Sequence, residues 1–368
     1  MASTVYFMDL RASFKENLIQ KLGRLVQTAG IGKTIDKRDL VAIKIHFGEK
    51  GNAAFIRPLF VRKMVEIIRS MEANPFLTDA NTLYAGTRSD APSHLTTAIQ
   101  NGFAYAVVDA PLVIADGLRG KSECAVSINQ KHFKTVYIGA EIVQADALIS
   151  MAHFKGHELS GFGGTIKNLG MGSASRKGKL AQHSTLSPEI KRKKCIGCGE
   201  CMMHCSQQAL SVVEKKAVLD AKKCIGCGEC ILICPQEAIQ VQWNQSIPTF
   251  MENMVEYTLG VLKGKESRSL FVNFITHVSP ACDCYGHNDA PIVRDIGVLA
   301  SHDPVAIDQA SVDLVNQESA NPGSCLTVNT QAGEDKFRGI YPKIDWTLQL
   351  AYAEEIGLGT RTYDLIKI

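Results

Sequence analysis

The chain has 368 residues, 45% of them hydrophobic and 21% charged, which is apolar material enough for more than one packed domain. Lysine and arginine number 40 against 37 aspartates and glutamates, a balance that argues against a nucleic-acid or membrane-surface partner. No stretch approaches the ~18 uncharged apolar residues of a membrane span, and no basic segment followed by a long apolar run opens the sequence, so a cytoplasmic protein is expected.

In chain order, residues 4–8 read as a strand, 14–28 as a helix with Leu18, Leu22, Leu25 and Val26 on one face, and 40–47 as a buried strand. Residues 57–71 return to helical spacing, with Leu59, Met64, Val65 and Ile68 expected inward. Short apolar runs at 76–78, 106–108, 135–138 and 147–151 read as further strands. This alternation predicts the α/β class, with a mostly parallel sheet and helices on both faces. Over 173–194 glycine, serine, lysine and arginine replace the apolar period, and a linker or surface loop is expected. A cysteine-rich stretch follows, after which strand 269–275 and helix 304–315 resume the α/β alternation, Asp303 and Pro304 marking the helix start. The simplest arrangement is one α/β domain built from 1–187 and 244–368, interrupted by a small domain at 188–243. Two separate domains flanking the cysteines are the alternative.

Eight of the twelve cysteines fall within forty residues, and no secretory signal accompanies them, so metal ligation in a reducing compartment accounts for them better than disulfides. The segment is a duplication: KKCIGCGECMMHCSQQALSV from Lys193 aligns without gaps to KKCIGCGECILICPQEAIQV from Lys222. Each copy reads C-x2-C-x2-C-x3-C. Three cysteines in a loop with glycines can wrap three corners of an iron–sulfur cubane, and the fourth, on the next helical turn, faces away. Zinc knuckles space their cysteines in two separated pairs, a different pattern. The segment closely resembles the two-cluster bacterial ferredoxins. That resemblance implies two [4Fe-4S] clusters, one on Cys195, Cys198, Cys201 and Cys234, the other on Cys224, Cys227, Cys230 and Cys205. The first copy has Ser206 where the second has the expected Pro235, which touches the shielding of one cluster and leaves its ligands intact; His204, beside Cys205, reads as a packing or solvent-facing residue. Two such clusters would bring the net charge from +3 to about −1.

Outside that segment three polar constellations stand out. In KIHFGEKGN a buried strand ends in His46, Gly48, Glu49 and Gly51, where α/β sheets place ligands, although a plain turn would look the same. In MAHFKGHELSGFGGTIKNLGMG an apolar strand runs into His153, Lys155 and His157, then Gly161, Gly163 and Gly164, then Lys167 and Asn168. Glycines ahead of a helical stretch let amides approach an anion, and the cations add charge, so a carboxylate or phosphate site is expected there. A flexible lid is the bland alternative. In the third, Cys282, Cys284 and His287 could hold a metal or act as a redox dithiol, or simply pack in a loop.

The lines KIHFGEKGN, FLTDANTLYAG, HFKGHELSGFGGTIKNLGMG and GVLASHDPVAID resemble the domain of unknown function 362 family, which often carries a ferredoxin-type segment. The resemblance implies a shared scaffold with a basic, glycine-lined pocket near His46, Lys155, His157 and Lys167, and no established reaction. The leading expectation is an iron–sulfur oxidoreductase acting on an anionic substrate or second cofactor, with a protein such as ferredoxin or flavodoxin as electron donor or acceptor. The alternatives are a non-enzymatic electron-transfer subunit and a metal or cluster maturation factor; a homodimer is compatible with either. No G-x-G-x-x-G follows a strand, so nothing supports flavin or nicotinamide binding.

Overall fold

The computed structural model describes residues 2–84, 86–184, 187–224, 226–242 and 246–368. Eight strands form the central sheet: β1 (Ser3–Asp9), β2 (Leu40–Ile45), β3 (Asn74–Asp79), β4 (Leu112–Ile114), β5 (Ala147–His153), β6 (Ser269–Ile275), β7 (Gly297–Ser301) and β8 (Tyr363–Lys367). Their order is β8-β1-β7-β6-β5-β2-β3-β4. Only β7 runs against the rest, pairing antiparallel with both β1 and β6, so the α/β class and the mostly parallel sheet stand as expected. Strands from before and after the cysteine-rich segment thus share one sheet, joined directly where β6 pairs with β5.

Side chains alternate across this sheet and fill two cores. Val41, Ile43, Ile45, Ile149, Met151, Val272 and Phe274 face the helices Leu18–Thr28 and Pro58–Ser70. Ala42, Leu148, Phe271 and Leu299 face Thr165–Gly170, Ile247–Leu262, Pro304–Asn316 and Thr347–Glu355. Burying each large aliphatic group contributes roughly 1.5–3 kcal/mol. The Leu18–Thr28 helix starts later than its apolar period suggests, because Asn17 and Gln20 form a reciprocal capping box that fixes its first turn.

Several expectations need correction. Residues 106–108 are not a strand: Tyr105–Val108 is one helical turn on the Pro58–Ser70 helix, closed by Asp109 in the left-handed region, and only Val108 is buried. Tertiary packing overrides the strand propensity of two valines. The strand at Thr135–Gly139 exists but pairs with Glu123–Ser127, outside the central sheet. Leu59 points to solvent, since the Pro58–Ser70 helix turns Phe60, Val61 and Ile67 inward instead. The stretch expected as a linker holds the helix Arg176–His183, capped by Ser175, which buries Arg176, Lys179 and Gln182. Its period is invisible to a hydrophobic pattern because Leu180 is the one large apolar residue among those buried.

Within the cysteine-rich segment the strand pairing is local. Glu189–Ile190 pairs antiparallel with Ile239–Gln240, which brings its two ends together, and Leu210–Val213 pairs with Lys216–Leu219. Two short helices, Glu200–Met203 and Glu229–Ile233, follow the paired cysteine loops. The expected boundary at residue 243 lies outside the described residues.

Candidate functional site

The two cysteine loops repeat one backbone conformation. Gly197 and Gly199 have positive φ of 71° and 85°, and Gly226 and Gly228 have 71° and 69°, so each loop curls round its own centre in a way side-chain-bearing residues resist. Cys195, Cys198, Cys201 and Cys234 line one hollow, and Cys205, Cys224, Cys227 and Cys230 line the other. The rest of each lining is largely apolar or backbone, including Ala217 and Ile239 in the first and Leu210 and Leu219 in the second. Backbone N–H groups of Ala217, Ala209 and Ala238 donate to the sulfurs of Cys195, Cys205 and Cys234 at 3.2–3.3 Å. Burial, followed by the charges of Cys227, Cys224, Cys201 and Cys205, pushes the Cys230 thiol up to about 12. A crowd of mutually repelling sulfurs is a donor set that suits a cationic iron centre. His204 is exposed, 3.8 Å from Glu200, and lines neither hollow. Among the described residues no three histidine, cysteine, aspartate or glutamate side chains gather closely enough for a single metal ion, the Cys282, Cys284 and His287 group included.

The second centre lies at the carboxyl ends of β2, β3, β5 and β6, which run parallel and so deliver their following loops to one edge. Asp79, closing β3, is its hub: Lys44 Nζ lies 2.9 Å away, Arg88 Nη1 3.4 Å and His94 Nε2 3.7 Å, all buried. Burial works to raise the Asp79 carboxyl, but the charge on Lys44 and the nearby His94 ring outweigh it and hold it well below the usual carboxylate range. Asn168 does not face an open anion site; its amide donates to Lys44 O and Ser150 Oγ while its oxygen accepts from Lys44 Nζ at 3.0 Å, so it sets the Lys44 side chain.

Asp283 is fully buried, 2.9 Å from His153 Nδ1 and 3.2 Å from Lys155 Nζ. His153 turns its other nitrogen to Thr276 O at 2.8 Å, so both ring nitrogens are engaged by oxygens and the residue positions the 276–283 loop. On either side of Asp283 stand Cys282 and Cys284, free thiols whose sulfurs are 2.9 Å apart. Lys167 Nζ donates to Cys282 Sγ at 2.9 Å, and His46 Nε2 lies 3.6 Å from Cys284 Sγ. Because Gly48 N–H donates to His46 Nδ1 at 3.0 Å, the ring proton is on Nε2, aimed at that sulfur. The bond from Cys282, with Lys167 and His46, holds Cys284 well below the usual thiol range, and the same bond with burial drives Cys282 well above it. Of the two sulfurs, Cys282 holds a shared proton more readily than Cys284. Tyr84 OH donates to Cys284 O at 3.0 Å and accepts from Arg88 Nη2 at 2.9 Å.

His157 is buried beside Lys167, and burial with that charge holds it well below the usual imidazole range. Its Nδ1 accepts from Ser160 N–H at 3.2 Å, which leaves the proton on Nε2. Gly161, Gly163 and Gly164 precede the Thr165–Gly170 helix as expected, yet the amides of Thr165 and Ile166 donate to Asp308 at 2.7 and 2.9 Å. The anion at this helix start is the chain's own carboxylate. The glycines allow close approach: a Cβ on Gly163 would lie 2.8 Å from the Lys167 side chain, and one on Gly164 2.3 Å from Asp308. His287 is exposed beside the Tyr285 ring and does not join the thiols; His46 and Lys167 do.

The structure thus brings together His46, His153, Lys155, His157, Lys167, Cys282 and Cys284. Sequence reasoning missed Lys44, Asp79, Tyr84, Arg88 and Asp283. A signal existed for two of them: Lys44 interrupts the apolar run LVAIKI, and Asp79 closes NPFLTD, and charge inside a buried strand requires a partner.

The two centres adjoin. Leu83 and Leu180 of the α/β body pack in one apolar cluster with Cys195, Cys201, Cys230 and Ile231. Glu229, next to Cys230, is paired with Arg119 at 3.0 Å and Lys121 at 3.2 Å, with Arg176 at 3.9 Å.

No curated protein matches the chain. Among solved structures it is similar to the lactate racemase apoprotein of Thermoanaerobacterium thermosaccharolyticum, with 13% identity and a TM-score of 0.41 over 86% of this chain and 59% of that one. It is also similar to a protein of Thermotoga maritima, with 9% identity and a TM-score of 0.40 over 92% and 58% of the two chains. The chain therefore spans less than two thirds of the length of either. A family model described as a domain of unknown function, DUF362, matches residues 41–313, and the chain belongs to that family.

Proposed function

We propose that the chain is an iron–sulfur oxidoreductase, in which two [4Fe-4S] clusters on an inserted ferredoxin-like domain at 188–243 serve an anionic substrate or second cofactor at Lys155, His157 and Lys167. The observation that carries this reading is the division of eight cysteines into two hollows, each taking three from one copy of the repeat and one from the other. When bound, such clusters supply single electrons at low potential with little change of geometry. The chain's own residues do the rest. Amides of Ala209, Ala217 and Ala238 offer hydrogen bonds to ligating sulfur, which tune potential. Glu229 ties the second hollow to the α/β body through its arginine and lysine partners. Lys155 and Lys167 supply positive charge for an anion, and His157 offers an Nε2 proton.

Cys198 is exposed, with exposed Ile196, Met202 and Met203 near it and the basic run Lys191, Arg192, Lys193 and Lys194 alongside. That surface suits an acidic electron-carrying protein of the ferredoxin or flavodoxin kind. It also favours the second reading, a subunit that passes electrons to a partner enzyme without a substrate of its own.

Anaerobic purification with iron, sulfide and metal analysis tests the proposal. About eight irons per chain, with a matching amount of sulfide and a paramagnetic signal on reduction, are expected. Zinc in their place, or iron far below that amount, overturns it.

A further inference from the structure

The clusters accept electrons one at a time, whereas most organic substrates take them in pairs, so something between them must collect two. We infer that Cys282 and Cys284 form a redox-active disulfide couple that gathers two electrons from the cluster domain and presents them to the bound substrate. The inference rests on the iron–sulfur reading above and adds to it a named acceptor.

Three observations carry it. The sulfurs are already 2.9 Å apart, about 0.9 Å from bonding distance, and both thiols are free. The loop that bears them is pinned on both sides, so they cannot splay: Gly156 N–H donates to Ser279 O at 2.8 Å and Glu49 N–H to Asp283 O at 3.2 Å. A Cβ on Gly156 would sit 2.0 Å from Pro280 O, so only glycine permits that approach. Finally, cationic Lys167 contacts one sulfur and the His46 N–H faces the other, an electropositive setting that a merely packed cysteine pair has no use for.

The loop also has a route to the cluster domain. Leu83 packs with Cys230 and its neighbours, and the adjoining Tyr84 donates its hydroxyl proton to the Cys284 carbonyl at 3.0 Å. In the reductive step two single electrons supplied from the cluster domain would break the sulfur–sulfur bond, with Cys282 taking one proton and Cys284 left as thiolate beside His46. The proton reaches Cys282 through Lys167, which regains it from water. When the thiol and thiolate close again to the disulfide, the two electrons and the Cys282 proton would pass to a reducible carbonyl or double bond of the anionic substrate, which takes its second proton from water.

The test uses the anaerobic holoprotein and a Cys282→Ser/Cys284→Ser variant, titrated with dithionite after mild oxidation. The wild type takes up about four electrons per chain, two at the clusters and two at the disulfide, and the variant about two. In parallel, alkylation in denaturant followed by mass spectrometry finds residues 282 and 284 of the wild type unmodified before reduction and both modified after it. Cys282 is only 1% exposed, so dithiothreitol alone leaves the bond closed. Equal electron uptake by both proteins, or alkylation of both thiols before reduction, overturns the inference while the cluster spectrum leaves the iron–sulfur reading standing. A protein without cluster iron overturns both. The mass-spectrometric arm needs no variant, so misfolding of the double substitution does not shelter the inference.

Discussion

The protein handles cysteine in two opposite ways. In the duplicated segment most of the placing is local: two left-handed glycines and a helical turn per copy set three of the four sulfurs round each hollow, the fourth coming from the other copy, and the surroundings are shallow enough that Cys198 is exposed. In the 282–284 loop the chain neighbours say little, and the sulfurs owe their setting to Lys167, His46 and a pinned backbone that arrive from three other parts of the chain. The first region is a local code repeated; the second is an assembly. A cluster, if ligated there as proposed, would tolerate a thin shell because metal bonds would hold the loop, whereas the proposed thiol couple needs a surrounding of fixed charge.

The largest test of the contrast lies in the repeat. Replacing Cys234 with alanine should remove the same cluster as Cys201→Ala, with iron falling from about eight to about four per chain and the same spectral component lost. If C234A instead matches C230A, its neighbour in sequence, the crosswise sharing of the hollows is wrong and the local code is simpler than proposed.

In the α/β centre the corresponding break is Asp79→Ala. It leaves Lys44 and Arg88 buried without their common carboxylate, at a cost of about 3–5 kcal/mol in denaturant unfolding. A cost below about 1 kcal/mol would show that the centre is not an interlocked assembly.

The next effect is a pH dependence. Burial lowers His94 from 6.5 to about 4, so the folded protein keeps it neutral while the unfolded chain protonates as pH falls through 6.5. The stabilisation, roughly 3 kcal/mol, is present above pH 6.5 and is lost as pH falls from there to about 4. His94→Gln should flatten that part of the stability profile. Some slope should persist, because burial also lowers His183 to about 3. An unchanged slope in H94Q would assign the acid sensitivity elsewhere.

The smallest effect is expected from Gly156→Ala, which forces a methyl group against Pro280 O and costs about 1–3 kcal/mol. Its sharper readout is the thiol pair: if the pinned loop holds the sulfurs together, alkylation of Cys282 should become faster in G156A. An unaltered rate would mean that Lys167 and His46 alone keep them in place.

How far the sequence could be read follows the same division. The strands at Leu40–Ile45, Ala147–His153 and Ser269–Ile275 were legible because they are buried on both faces and read as unbroken apolar runs. The edge strand Tyr363–Lys367 and the short Leu112–Ile114 lack that mark, and both escaped. The helix Arg176–His183 escaped because, apart from Leu180, its buried side chains are arginine, lysine and glutamine, whose hydrogen bonds go outside the helix. His46, Lys155, His157 and Lys167 could be picked out as site residues from the strand ends they follow, but Asp79, Arg88 and Asp283 become visible only as partners, since a carboxylate's role depends on the cation that faces it.

By itself, then, the sequence determined the α/β class and the gap-free doubling of the cysteine loops, because apolar period and glycine spacing act between neighbours a few residues apart. The tertiary structure alone decided that the chain's own Asp308 occupies the glycine-flanked helix start, and that His46 and Lys167 rather than His287 attend Cys282 and Cys284. Those choices are settled by long-range strand pairing, which brings residues more than a hundred positions apart to one edge of the sheet, and no local pattern encodes that distance.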